Sequence, residues 1–159
     1  MKSGPSRALV VHDRQLDVFR VAPDWQRIWL TLESESWRSL VVLPTGDLSS
    51  IELVRGLAAV AWQQRGTRII VADLRSIAIA ALSAARQELR RHVESGDRVM
   101  IATQSLDASP TTATIAREAD RALLCVHLNK ASLGQVRKAI KELGKQRYLG
   151  AIAINQGSG

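Results

Sequence analysis

The sequence predicts an α/β fold, a three-layer sandwich built on a mainly parallel sheet of about five strands. Three observations predict it. From residue 38 onward, apolar runs of strand length alternate with longer segments of helical period, the pattern of a sheet covered by crossover helices. The apolar runs largely lack polar alternation, as strands buried on both faces do. Three of the helical segments stop at or near a glycine, Gly66, Gly96 and Gly144, the residue that most readily takes a left-handed helix end.

Taken in order, residues 1–37 read as an amino-terminal arm. Its stretch ALVVHDRQL reads as an edge strand or a docking arm, and PDWQRIWLTLES as a short helix with Pro23 in the first turn. Trp25, Trp29 and Leu32 then share one side, which either packs on the chain's own domain or forms an interface with a partner or second subunit. Residues 38–155 form the α/β domain, with strands expected at 39–43, 68–73, 98–103, 121–128 and 148–154. A first helix opens at Ser49, where Glu52 three residues later predicts a capping box, and buries Leu53, Leu57 and Val60. A second spans 76–94 with Leu82, Leu89 and Val93 inward, and a third runs from Pro110 to about Ala119. The fourth begins at Ser132 and carries Leu133, Val136, Ile140 and Leu143 on one stripe. The tail, 156–159, reads as a flexible end.

At 159 residues and 46% hydrophobic content, the chain suits one core. No apolar run reaches the roughly 18 to 20 residues of a membrane span, and the first residues lack a secretory signal's apolar centre, so a cytoplasmic protein is expected. Cys125, the single cysteine, allows no internal disulfide or cysteine-rich metal site and reads as a buried thiol. His12, His92 and His127 have no ligand-like spacing to a carboxylate. Asp47, Asp73 and Asp107 near strand ends read as loop acids or as parts of one pocket. The net charge of +7 favours anionic partners. Lys2, Lys130, Lys138, Lys141 and Lys145 are the only lysines, so chemistry that needs a lysine between residues 3 and 129 is excluded.

The segment 39–60 has the order of a phosphate-binding loop: apolar strand, glycine-containing turn, then a helix starting near Ser49 and Ser50. Such a loop needs several glycines to turn backbone N–H groups inward, a lysine on the phosphates and a hydroxyl for Mg²⁺. Here one glycine, Gly46, is present, no lysine is, and Asp47 adds a carboxylate where phosphate oxygens would sit. Ser49 and Ser50 either cap the helix or meet an anion.

Read together, these segments resemble the bacterial tyrosine kinase branch of the deviant Walker A ATPases, the P-loop group that includes the partitioning and septum-site proteins. RIIVADLR at 68–75 is similar to that family's second strand, which ends Asp-Leu-Arg, and residues 105–155 resemble its carboxyl-terminal half in the order of turn, helix, strand, basic helix and final strand. APDWQRIWLTLES is similar to the arginine-bearing helix before its first strand. The resemblance assigns vestigial nucleotide-side positions to Ser49, Ser50, Asp73, Arg75 and Asn155. Ser50 or its neighbour falls at the phosphate lysine, Asp73 at the acid that organises the metal-bound nucleotide, Arg75 at the arginine after it, and Asn155 at the adenine-side asparagine. Ala102 stands where the third strand's acid belongs, the chain between Asp73 and Ala102 is short, and Tyr148 is the only tyrosine.

What the resemblance implies is a degenerate P-loop-like domain with no catalytic residues, no cofactor and no metal. Its implied role is accessory or regulatory, in the synthesis or export of exo- or capsular polysaccharide. The implied partner is a protein, such as a membrane polysaccharide co-polymerase or a related kinase, that recruits the chain to the inner face of the membrane; a homo-oligomer is also compatible. Arg137, Lys138, Lys141 and Lys145 form a basic ridge opposite the fourth helix's apolar stripe, either a solvated face or a docking surface for an acidic partner. No aromatic side chain interleaves it, which disfavours nucleic acid. Two alternatives stay open: a nucleotide-binding ATPase completed in trans, and a basic partition-like adaptor for nucleic acid or protein.

Overall fold

The computed structural model describes residues 8–12, 23–46, 48–127 and 132–155. Asp47, Lys130 and the 156–159 tail lie outside the described residues, as does the side chain of Asn155. Six strands make one sheet: β1 (Ala8–His12), β2 (Ser39–Pro44), β3 (Ile69–Asp73), β4 (Arg98–Ala102), β5 (Arg121–His127) and β6 (Tyr148–Asn155). The spatial order is β1-β6-β5-β2-β4-β3, and every pairing is parallel. The expected count of about five becomes six because the amino-terminal stretch pairs in register with β6, from Ala8 opposite Ala151 to His12 opposite Asn155.

The layers follow from the direction of each connection. A right-handed crossover running one way across a parallel sheet puts its helix on one face, and one running back puts it on the other. The β1-to-β2 and β2-to-β3 connections run toward the β3 edge and carry α1 (Pro23–Glu33) and α2 (Ser50–Arg65). The other three run back and carry α3 (Ile79–Glu94), α4 (Pro110–Glu118) and α5 (Leu133–Leu143). Two apolar clusters confirm the division. Alternate β2 residues Leu40 and Val42 join the α1–α2 cluster, while Val41 and Leu43 join the cluster beneath α3, α4 and α5.

The division into an arm at 1–37 and a separate domain does not hold. Trp25, Ile28, Trp29, Leu32 and Trp37 are all within the same core cluster as β2, β4, β5 and β6. Trp25 and Trp29 are both 0% exposed, so they are internal packing residues and not a partner surface. The reason is local. Trp25 lies on Gly56 of α2, where a Cβ would come within 2.6 Å of its ring, and Trp29 meets Trp37 edge-on at 6.4 Å. The missing side chain at position 56 lets α1 approach α2 closely enough to cover the indole. The tryptophan that does face solvent is Trp62, at 63%.

Capping choices shape the carboxyl end of the sheet, where α2 and α5 both begin. The capping box expected at Ser49 and Glu52 does not form, since Ser49 makes no side-chain cap; its hydroxyl is taken by a tertiary partner described below. A capping box does form at α5, between Ser132 and Gln135. In α5, Val136, Ile140 and Leu143 pack inward, whereas Leu133 in the first turn is 64% exposed.

Candidate functional site

In an open parallel sheet, ligands meet the carboxyl ends of strands where neighbouring connections leave in opposite directions. Here β2 sends its helix toward the β3 edge while its neighbour β5 sends its helix toward β6. A cleft of about 420 Å³ opens at the carboxyl ends on the other side of β2, between the segments that follow β2, β3 and β4, lined by Gly46, Ser49, Arg75, Thr103 and Gln104 among others. Gly46 turns the β2–α2 loop at φ +64° with nothing within 4 Å of a notional Cβ, so the requirement for glycine there is conformational.

Three of the residues singled out from the sequence converge at this cleft. Asp73 ends β3 and accepts two parallel hydrogen bonds from the Arg75 guanidinium, Nε to Oδ1 at 2.7 Å and Nη2 to Oδ2 at 2.8 Å. The third guanidinium nitrogen, Nη1, donates to Ser49 Oγ at 3.2 Å. This fork-to-fork pairing fixes the plane of Arg75. The hydrogen bond from Arg75 holds the Asp73 carboxyl below its ordinary range despite some burial, and the same bond raises Arg75. A cation therefore sits at the first residues of α2, the end of a helix that ordinarily receives an anion, and it stays there because Asp73 neutralises it.

Ser50 is buried and takes a different job. Its hydroxyl donates to the Thr103 carbonyl at 2.6 Å, while Thr103 Oγ1 donates to the Val42 carbonyl at 3.3 Å. The start of α2 is thereby tied to the ends of β4 and β2. Ala102 falls beside Asp73 on one side and Val42 on the other, placing a methyl group where the resemblance would have an acid. Asn155 ends β6, two strands from β2.

The residues present do not fit a magnesium nucleotide. The proton of Ser50 is committed to a carbonyl, the Arg75 donors are turned onto Asp73 and Ser49, and among the described residues no lysine lines the cleft. Among the described residues, no group of three or more His, Cys, Asp or Glu side chains is placed to hold a metal. Asp107 pairs with Lys138 at 3.1 Å and Asp73 with Arg75, so these two acids serve separate contacts.

The other candidate positions lie on α5 and just after it. Arg137, Lys138, Lys141 and Lys145 are all exposed; the first three lie on α5 and Lys145 follows its Gly144 end, and Lys138 is tethered to Asp107. Replacing Arg137, Lys141 and Lys145 together with glutamate is expected to change stability by no more than about 0.5 kcal/mol per site, read from a urea midpoint. A larger loss would make the ridge part of the folding energetics. Sequence reasoning missed a second charged feature, at the opposite end of the sheet. Arginine opens or immediately precedes five successive strands, at 38, 68, 98, 121 and 147.

Comparison with protein-family models and with curated proteins gives no match.

Proposed function

We propose that this chain is a catalytically inactive P-loop-like protein that acts as an accessory or regulatory factor in the synthesis or export of cell-surface polysaccharide. The observation that carries the inactive half of this reading is the latch of Arg75 onto Asp73 and Ser49 across the mouth of the β2–α2 loop. A phosphate-binding loop presents free donors to its ligand, whereas here the nearest cation is already satisfied from within the chain. Tyr148 supports the same reading. It is 4% exposed, and its hydroxyl donates to the Ala139 carbonyl at 2.7 Å, so it is no acceptor for phosphoryl transfer, and no autophosphorylation is expected from the purified chain.

The pathway rests on the resemblance of residues 68–75 and 105–155 to the bacterial tyrosine kinases. Within it, the basic ridge of Arg137, Lys141 and Lys145 is the docking face for an acidic cytoplasmic segment of a membrane polysaccharide co-polymerase or related kinase, which brings the chain to the inner face of the membrane. No helix among the described residues is long and apolar enough to cross a membrane itself. Deleting the gene in its source cell tests the reading. Surface polysaccharide should fall, the wild-type chain and an Asp73→Ala, Arg75→Ala chain should both restore it, and the Arg137→Glu, Lys141→Glu, Lys145→Glu chain should not. Unchanged polysaccharide after deletion would remove the pathway, and failure of the Asp73→Ala, Arg75→Ala chain, if folded, would point to chemistry at the cleft.

A further inference from the structure

Parallel strands begin at one edge of the sheet, so residues far apart in sequence line up there. The first position of β4 is Arg98 and that of β5 is Arg121, while Arg38, Arg68 and Arg147 lie just before β2, β3 and the β6 strand. In the spatial order of the sheet they run Arg147, Arg121, Arg38, Arg98, Arg68. Four of them, Arg38, Arg68, Arg98 and Arg121, line a cleft of about 730 Å³ together with Trp37, Asp97 and Asp120. This cleft is at the end of the sheet opposite the Asp73–Arg75 latch.

Three features set these arginines apart from a solvated rim. First, among the described residues none of the four has a carboxylate within 4.0 Å, whereas Arg65, Arg75, Arg86, Arg91 and Arg117 each do. The two acids in the cleft are committed elsewhere. Asp120 accepts from the backbone N–H groups of Arg38 and Ser39 at 2.7 and 3.1 Å, and Asp97 faces His92 at 3.1 Å.

Second, three of the guanidinium groups are held in place. Arg98 stacks 4.4 Å from the centre of the Trp37 ring and donates to the Glu35 carbonyl at 3.0 Å. Arg121 donates to the Arg147 carbonyl at 3.3 Å, and Arg38 to that of Val93 at 3.4 Å. Each has used one donor of five, leaving the rest of a preorganised fork. Third, the charges crowd one another. Burial holds Arg98 below its ordinary value, Glu33 works against that, and the neighbouring Arg38 cation adds to it. Like charges kept close are relieved by binding an anion.

We propose that this amino-edge cleft binds a small ligand carrying two or more linked phosphoryl groups. Arginine forks match the oxygens of a phosphoryl group in bidentate fashion, and four forks around one cleft exceed what a single orthophosphate can engage.

The test is a thermal-shift titration of the whole chain with tripolyphosphate, pyrophosphate and orthophosphate at about 0.15 M salt, where the Debye length is about 8 Å. Tripolyphosphate at about 1 mM should raise the melting temperature by several degrees, as a ligand at many times its Kd does, with pyrophosphate weaker and orthophosphate without effect. The exposed pair Arg38→Gln, Arg68→Gln should abolish the shift while keeping the unliganded melting temperature, and Arg137→Gln, Lys141→Gln on the α5 ridge should leave the shift intact. No shift with any of the three anions would overturn the proposal. So would an equal loss of the shift in the ridge variant, which would mean nonspecific attraction to net charge. Because neither pair of substitutions touches Asp73, Arg75 or Ser49, the result is independent of the proposed loss of catalysis.

Discussion

Trp25→Ala is expected to destabilise the protein by about 3 to 5 kcal/mol, the range for removing a fully buried large aromatic side chain. Trp25 is 0% exposed, and its ring supplies the atoms nearest to where a Gly56 Cβ would sit. The converse change tests the same contact from the other side. In an open helix Gly56→Ala would gain close to 1 kcal/mol of propensity, but a Cβ there would lie 2.6 and 2.7 Å from two Trp25 ring carbons, so a net loss of about 1 to 3 kcal/mol from overpacking is expected. Because the two residues touch, the losses should not add. Urea unfolding of both single variants and the double variant measures this coupling. Additive losses would mean that α1 does not rest on α2 through this pair.

Alkaline pH should unfold the protein steeply. Cys125 is 0% exposed and its thiol is pushed upward by burial. Tyr148 is raised for the same reason, with Glu142 adding to it. The sign follows from linkage. Both groups are neutral in the fold but ionise in the unfolded chain near 9.0 and 10.0 respectively. Their contribution is therefore complete below pH 9 and is lost as pH rises, at about 1.4 kcal/mol per pH unit for each group above its unfolded pKa. Against a total stability of about 5 to 15 kcal/mol, this is a large fraction by pH 11. The Cys125→Ala, Tyr148→Phe variant starts from a lower stability, having lost the Ala139 hydrogen bond and a buried sulfur, but its stability should fall less steeply between pH 9 and 11. Equal slopes in both proteins would show that other groups control alkaline unfolding.

The sheet was legible because parallel strands buried on both faces read as apolar runs: Leu40 to Leu43 are all buried, and no polar residue interrupts them. The short edge strand Ala8–His12 was ambiguous because five residues support either an edge strand or an arm, and only the pairing with β6 decides. For Trp25 and Trp29, helical spacing showed a shared face but not what covers it; that depends on Gly56 for the first and Trp37 for the second. Ser49 followed a local capping rule, yet an arginine 26 residues later outcompetes the helix for its hydroxyl. The arginine cleft left a readable sign, an arginine opening or preceding each main strand. Its meaning required the strand order, since Arg38 comes to lie between Arg98 and Arg121, both far away in sequence, only once β2 is placed between β4 and β5.

The central claim is that the β2–α2 loop has lost nucleotide binding. The most direct measurement is isothermal calorimetry of ATP and ADP with Mg²⁺ into the chain carrying Arg38→Gln and Arg68→Gln, so that the amino-edge cleft is silent and only the carboxyl-end cleft is read. Each missing charge-assisted contact removes about 1.5 to 3 kcal/mol, and with no lysine in the 44–50 loop and the Arg75 donors taken by Asp73 and Ser49 no heat of binding is expected at micromolar nucleotide. A micromolar dissociation constant that requires Mg²⁺ would contradict the account and make the Asp73–Arg75 latch a resting state that nucleotide opens.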